Sequence, residues 1–205
     1  MVDPVTMNAR KPENDTYGHA MLHRMNERHK PLYKWGLEHV SLDTPKAILD
    51  IGFGGGQNIR DLLQLAPQAE IFGIDYSEAS YEKCRELNEN AIRNGKLNIR
   101  TGTAESLPYE DDSFDLVTAF ETIYYWKNIE ECFRNVYRSL RERGAFLICN
   151  EDADARGIEE IAQALDMNFY SAEQLKKILH QAGFQTVHTY LHPKGSWICA
   201  VGIKE

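Results

Sequence analysis

Long apolar runs are missing from these 205 residues: no stretch approaches the roughly 18 apolar residues that cross a bilayer. The opening segment, MVDPVTMNARKPENDTY, also lacks the apolar core of a secretory leader. A cytoplasmic chain with no membrane partner is therefore expected. Cysteine is scarce. The four residues Cys84, Cys132, Cys149 and Cys199 are far apart and form no C-x-x-C pair, so neither a zinc ribbon nor a thiol redox motif is signalled. A basic surplus is absent as well, with 23 Lys+Arg against 31 Asp+Glu and a formal charge of −8. That disfavours a dedicated nucleic-acid binder, which needs cations to neutralise phosphates. The short run Arg138, Arg141 and Arg143, interrupted by Leu140 and Glu142, reads as a solvated helix end. Proline (7) and glycine (14) do not pool into a linker and no internal repeat appears, so the length fits one domain, a monomer or a homodimer.

What is present is a regular alternation. Residues up to about Tyr17 are polar and expected to be mobile. Met21, Leu22, Met25, Leu32, Trp35 and Val40 then suggest amphipathic helix broken near Pro31, so residues 1–45 read as a helical lid segment ahead of a main domain, 46–205. Ala47 to Ile51, Ile71 to Ile74, Leu97 to Arg100, Phe114 to Phe120 and Ala145 to Cys149 read as strands separated by helical patterns, which implies a parallel sheet. A helix face from Tyr81 to Ala91 is expected to stop at Asn94-Gly95. Capping boxes are expected at Asn128-x-x-Glu131 and Ser171-x-x-Gln174, with Gly144 and Gly183 closing the two helices. Phe184 to Leu191 and Trp197 to Ile203 are too close for a crossover and should pair as an antiparallel edge hairpin.

In such sheets ligands bind beyond the carboxyl ends of the strands. The first strand runs into Asp50-Ile51-Gly52-Phe53-Gly54-Gly55-Gly56, where glycines let backbone approach a ligand closely. The second ends in Asp75, 19 residues beyond Gly56, a placement that suits a carboxylate accepting from ribose hydroxyls. A dinucleotide fingerprint beginning at Gly52 would need glycine where Gln57 stands. The negative charge of Asp50 also tolerates a cationic ligand better than a pyrophosphate. A nucleoside without phosphates fits this loop better, and a nicotinamide-dependent oxidoreductase fits it poorly.

The ordered segments DIGFGGG, GIDYS, GTAESLPYEDDSFDLV and RSLRERGAFLICNE resemble those of a class I S-adenosylmethionine-dependent methyltransferase, within the small-molecule type 11 group that includes quinone-biosynthesis-like enzymes. That resemblance implies an α/β, Rossmann-like, doubly wound seven-stranded sheet, mostly parallel with an antiparallel C-terminal edge hairpin. It implies S-adenosylmethionine as cofactor, S-adenosylhomocysteine as product and a small-molecule acceptor. By the same resemblance Asp50, Gly52, Gly54 and Gly56 line the methionine half, Asp75 holds the ribose, and Tyr76, Ala104 and Glu105 flank the adenine. Thr103 stands where many relatives carry an aspartate, and its hydroxyl accepts more weakly than a carboxylate. Arg141-Glu142-Arg143-Gly144 replaces the usual Lys-Pro-Gly-Gly turn, a difference read as structural only.

Beyond the fourth strand, Glu121 is a candidate for binding the cofactor's ammonium or acting as a base, and Tyr124, Tyr125 and Trp126 are candidates for walling an acceptor. The N-terminal segment adds Tyr17 as a substrate contact and His19 as a possible base, alongside His23, Asn26 and His29. His19 and His23 stand four apart, but no third ligand is placed by the sequence, so no metal is expected. Glu151 and Asp152 follow the fifth strand on the ligand side, while Cys149 and Cys199 fall inside strands and read as core. Because methyl transfer needs a base only for a protonated acceptor, and none is singled out, a rival reading keeps the pocket without the transfer: a cofactor-binding regulatory or partner protein.

Overall fold

Near-continuous apolar runs along the central strands explain how the sheet is buried on both faces. Residues 2–193 and 195–205 are described by the computed structural model. Seven strands, β1 (Ala47–Ile51), β2 (Glu70–Asp75), β3 (Leu97–Thr101), β4 (Phe114–Phe120), β5 (Leu140–Asn150), β6 (Thr186–Leu191) and β7 (Ile198–Ile203), form one sheet of order β3-β2-β1-β4-β5-β7-β6. The first five are parallel, and β7 runs antiparallel to both β5 and β6. Strand order reverses between β1 and β4, which places a crevice at their carboxyl ends.

Leu49 and Ile51 face one core with Val117, Phe146 and Ile148, covered by α6 (Ile129–Ser139) and α8 (Ala172–Ala182). Ile48 faces the other core with Leu116, Leu147 and Cys149, covered by α2 (Lys30–Leu37), α3 (Gln57–Leu65) and α4 (Glu78–Leu87). The period of two in the strands and the helical stripes thus meet in two apolar layers. Among the described residues no helix is long and apolar enough to cross a membrane.

The Ser171 capping box forms as expected, with Gln174 N–H donating to the Ser171 hydroxyl and Ser171 N–H to the Gln174 side chain, and Gly183 closes α8 at φ 116°. At Asn128 only half the box appears: its side chain accepts from Glu131 N–H but donates to the Glu131 carboxylate at 2.9 Å.

Four local expectations change. The first residues carry a 3-10 turn, Thr6–Asn8, and Arg10 reaches the Leu165 carbonyl at 3.2 Å and the Asp166 carboxylate at 3.1 Å, so the segment is tied to the domain. The helical pattern after Tyr81 divides at Asn88 into α4 and α5 (Glu89–Arg93), because the Asn88 side chain turns to donate to the Gly56 carbonyl at 3.2 Å. The sixth helix ends at Ser139, not at Gly144. There the chain enters β5 at Leu140, and Gly144 lies where a Cβ would meet the Arg141 carbonyl at 2.8 Å. Finally, the basic run is partnered: Arg138 holds Asp111 at 2.6 Å and Arg141 holds Asp115 at 2.9 Å. The edge hairpin forms, its connector including residue 194, which lies outside the described residues.

Ahead of the sheet, α1 (Thr16–Arg28) and α2 meet at His29, with Pro31 in the first turn of α2. Pro has no N–H to lose at that position, so the break expected near Pro31 is the start of a second helix.

Candidate functional site

Backbone conformation shapes the loop after β1. Gly52, Gly54 and Gly56 all have positive φ (76°, 52° and 82°), a region that costs an L side chain energy. Gly52 N–H donates to the Ile74 carbonyl at 2.7 Å, drawing the loop onto β2, and a Cβ on Gly52 would sit 2.3 Å from the Thr122 hydroxyl. Beneath it, buried Asp50 accepts from the Thr118 hydroxyl at 2.6 Å, and burial pushes its carboxyl up to about 6. Gly56 turns away from the cleft, against Cys84 of α4.

At the end of β2, Asp75 uses one carboxylate oxygen to accept from Gly54 N–H and the other from Ser77 N–H, both at 2.9 Å. Burial raises it to about 6 against the pull of those donors. Beside it opens a cleft of about 420 Å3 lined by Gly52, Asp75, Tyr76, Thr103, Ala104 and Glu105, with Thr122, Tyr125 and Trp126 opposite. Asn135 holds the Ala104 and Glu105 carbonyls at 3.2 and 2.8 Å, which fixes this wall. A concave space of that size at the strand-order reversal, with a carboxylate and positive-φ glycines on its floor, fits a nucleoside.

The cleft narrows to a slot of about 50 Å3 between Gly54, Gly55, Glu121 and His29, roofed by Ala9, Arg10 and Pro12. Two hydrogen bonds hold the roof: Tyr76 hydroxyl to the Arg10 carbonyl, and Ser77 hydroxyl to the Pro12 carbonyl at 2.6 Å. Past the slot lies a side cavity of about 180 Å3 whose lining includes His29, Glu121, Tyr125, Glu151 and Asp152.

Glu121 stands at this junction with φ 56°, an uncommon conformation for a residue with a side chain. One of its oxygens accepts from the Tyr124 hydroxyl at 3.1 Å and from Glu151 N–H. Burial, and then the neighbouring Glu151, push its carboxyl up to about 8. His29 is pushed the other way, to about 4, by burial and then by Arg28. Ligand-type atoms of His29, Glu121 and Glu151 all lie within 4.8 Å of one another, and Arg28 pairs with Glu151 at 2.9 Å.

The structure thus brings together Gly52, Gly54, Asp75, Tyr76, Thr103, Ala104, Glu105, Glu121, Tyr125 and Trp126 along one continuous space. Asp50 and Gly56 support that space from behind. Tyr124 is 1% exposed, its hydroxyl engaged by Glu121 and by Asp152 N–H at 2.9 Å, so it orients Glu121 instead of facing a ligand. Two residues are not brought in. Tyr17 is 49% exposed at the start of α1, and His19 bonds Asn14 at 2.8 Å above α4, beside His23, Glu78 and Glu82. His19 lies where α1 passes α4. The sequence reading left His29, Arg10 and Thr122 unassigned. His29 had one available signal, its place at the helix break before Pro31.

Residues 49–148 match the methyltransferase domain family. The matched stretch holds the glycine loop, Asp75 and the strands β2, β3 and β4. Over 109 residues this chain is 35% identical to the uncharacterized methyltransferase YcgJ of Bacillus subtilis, covering 52% of this chain and 41% of that protein. It is 24% identical to a demethylmenaquinone methyltransferase of Lactiplantibacillus plantarum, covering 86% of each. Among solved structures, the methyltransferase in a Haloferax volcanii complex with the activator Trm112 superposes with a TM-score of 0.83 at 18% identity, covering 99% of this chain and 98% of that one. The chain spans only 27%, 41% and 58% of the length of three curated relatives it matches.

Proposed function

We propose that the protein transfers a methyl group from S-adenosylmethionine to a small-molecule acceptor by in-line displacement. The observation that carries this reading is the joining of the glycine loop and Asp75 on the floor of the 420 Å3 cleft. The cofactor supplies an electrophilic methyl on a sulfonium. In this reading Asp75 accepts from the ribose hydroxyls, and Tyr76, Thr103, Ala104 and Glu105 line the adenine end. Gly52 and Gly54 allow the amino-acid half to approach the backbone, toward Glu121. Residues 1–45 act as a lid, with Arg10 and Pro12 over the slot. Holding the acceptor in line is the main catalytic task, since an oriented pair gains most of its advantage from proximity.

Thermal melting with S-adenosylmethionine, S-adenosylhomocysteine and NAD tests the cofactor, because a ligand that binds only the folded state raises the melting temperature. A rise with the adenosyl ligands alone is expected. No rise with them, or an equal one with NAD, removes the proposal.

A further inference from the structure

The side cavity beyond the slot has a size and lining that narrow the acceptor. Its volume of about 180 Å3 is far below that of a drug-sized pocket. An apolar cavity of roughly 150 Å3 suffices to hold benzene. Its walls include Met21, Met25, Ile158, Ile161, Leu165 and Met167, an apolar surface with three thioethers, which make favourable contacts with aromatic ring edges. His29, Glu121 and Tyr125 line both this cavity and the slot, whereas Thr6, Arg24, Arg28, Glu151 and Asp152 line the cavity alone.

Charge is balanced there. Arg24 and Arg28 stand against Glu151 and Asp152, and Glu121 retains its proton at neutral pH, so an ion gains little by entering. The two candidate proton acceptors differ in availability. Glu121 already accepts two hydrogen bonds on one oxygen. The ring of His29 is neutral, and among the described residues none forms a hydrogen bond to it; Tyr33 meets it only edge-on, centroid to centroid at 6.1 Å.

Resting on the methyltransferase reading, we infer that this cavity takes a one-ring phenol and that His29 accepts the proton of its hydroxyl during methyl transfer. The O–H bond breaks as its hydrogen passes to the ring nitrogen, the freed oxygen pair forms the O–CH3 bond, and the carbon–sulfur pair stays on the thioether. The proton then leaves His29 by way of Glu151 or water. The Glu151 carboxylate stabilises the imidazolium in the interval.

Calorimetry of the S-adenosylhomocysteine-saturated protein with phenol and with toluene, ligands of nearly equal size, tests this. Failure of S-adenosylhomocysteine to bind counts against the methyltransferase reading. With it bound, phenol is expected to bind at least tenfold more tightly than toluene, and His29→Phe to bring that ratio close to one. His29→Gln, which keeps an acceptor oxygen but no base, should retain phenol binding. It should lower anisole formation from methyl-labelled cofactor by at least about 100-fold, the lower range for general-base catalysis. Equal binding of phenol and toluene, a bound phenol that yields no anisole, or an unchanged rate in His29→Gln would each overturn the inference. So would phenol binding that requires added Mn2+ or Zn2+, which would make His29, Glu121 and Glu151 a metal site instead.

Discussion

Asp75 accepts the N–H of Gly54 at 2.9 Å, across 21 residues of sequence, so the glycine loop and the acid are a single unit of the cleft floor. The second oxygen is held by Ser77 N–H, and together the two donors orient the carboxylate before any ligand arrives. Replacing Asp75 by Ala should weaken S-adenosylhomocysteine binding by about 1.5–3 kcal/mol, the range for hydrogen bonds to a charged group. Calorimetry checks this, and an unchanged dissociation constant would take Asp75 out of the ribose contact.

Gly52 and Gly54 share positive φ but not surroundings. A Cβ on Gly54 meets nothing within 4 Å, whereas one on Gly52 collides with Thr122. Gly54→Ala should therefore cost only about 1–2 kcal/mol of backbone strain, and Gly52→Ala distinctly more. Urea unfolding of the two variants measures the order, and the reverse order would contradict the placement of Thr122 over the loop.

Stability of the ligand-free protein should fall as pH rises from 6.5 to 8. The folded state holds a proton on Glu121 up to about pH 8, while an unfolded glutamate has lost it near 4.5, so folding is favoured at low pH and loses that advantage as pH climbs through the window. His29 acts oppositely, mainly between about 4 and 6.5, and Asp50 and Asp75, with midpoints near 6, have lost most of their protons by 6.5, so the upper window belongs mainly to Glu121. The drop should be about 1.5 kcal/mol. Melting curves of Glu121→Gln should lose most of it, and a wild-type protein equally stable at both ends would refute the assignment.

All four cysteines are buried and reduced, and burial raises the thiols of Cys84, Cys132 and Cys149. An aromatic disulfide reagent at pH 8 should label none of them in the native protein and four after denaturation, since the thiolate is the reacting form. Rapid labelling of the folded chain would show that a thiol reaches the cleft.

The elements that were legible carry local signals. A short apolar run marked β1, serine with glutamine three residues on marked α8, and glycines needing positive φ marked the loop and the end of α8. Where the reading failed, the deciding contact was distant in sequence. Gly144 looked like a helix end, but the pairing of Leu140 with Phe114 starts the strand four residues earlier.

Much of the floor of the cleft was therefore written in the sequence, because Asp50, Gly52, Gly54 and Asp75 sit next to strand ends that period and spacing already locate. The side cavity beside His29 was not. The chain before β1 offers His19, His23 and His29 with nothing local to rank them, and only tertiary packing chooses. α1 and α2 part at His29, and Gly36 lets α2 lie so close to the sheet that a Cβ there would stand 2.6 Å from the Phe120 ring. That approach carries His29 to Glu121 and Glu151 at the carboxyl ends of β4 and β5, while the packing of α1 along α4 leaves His19 over another surface.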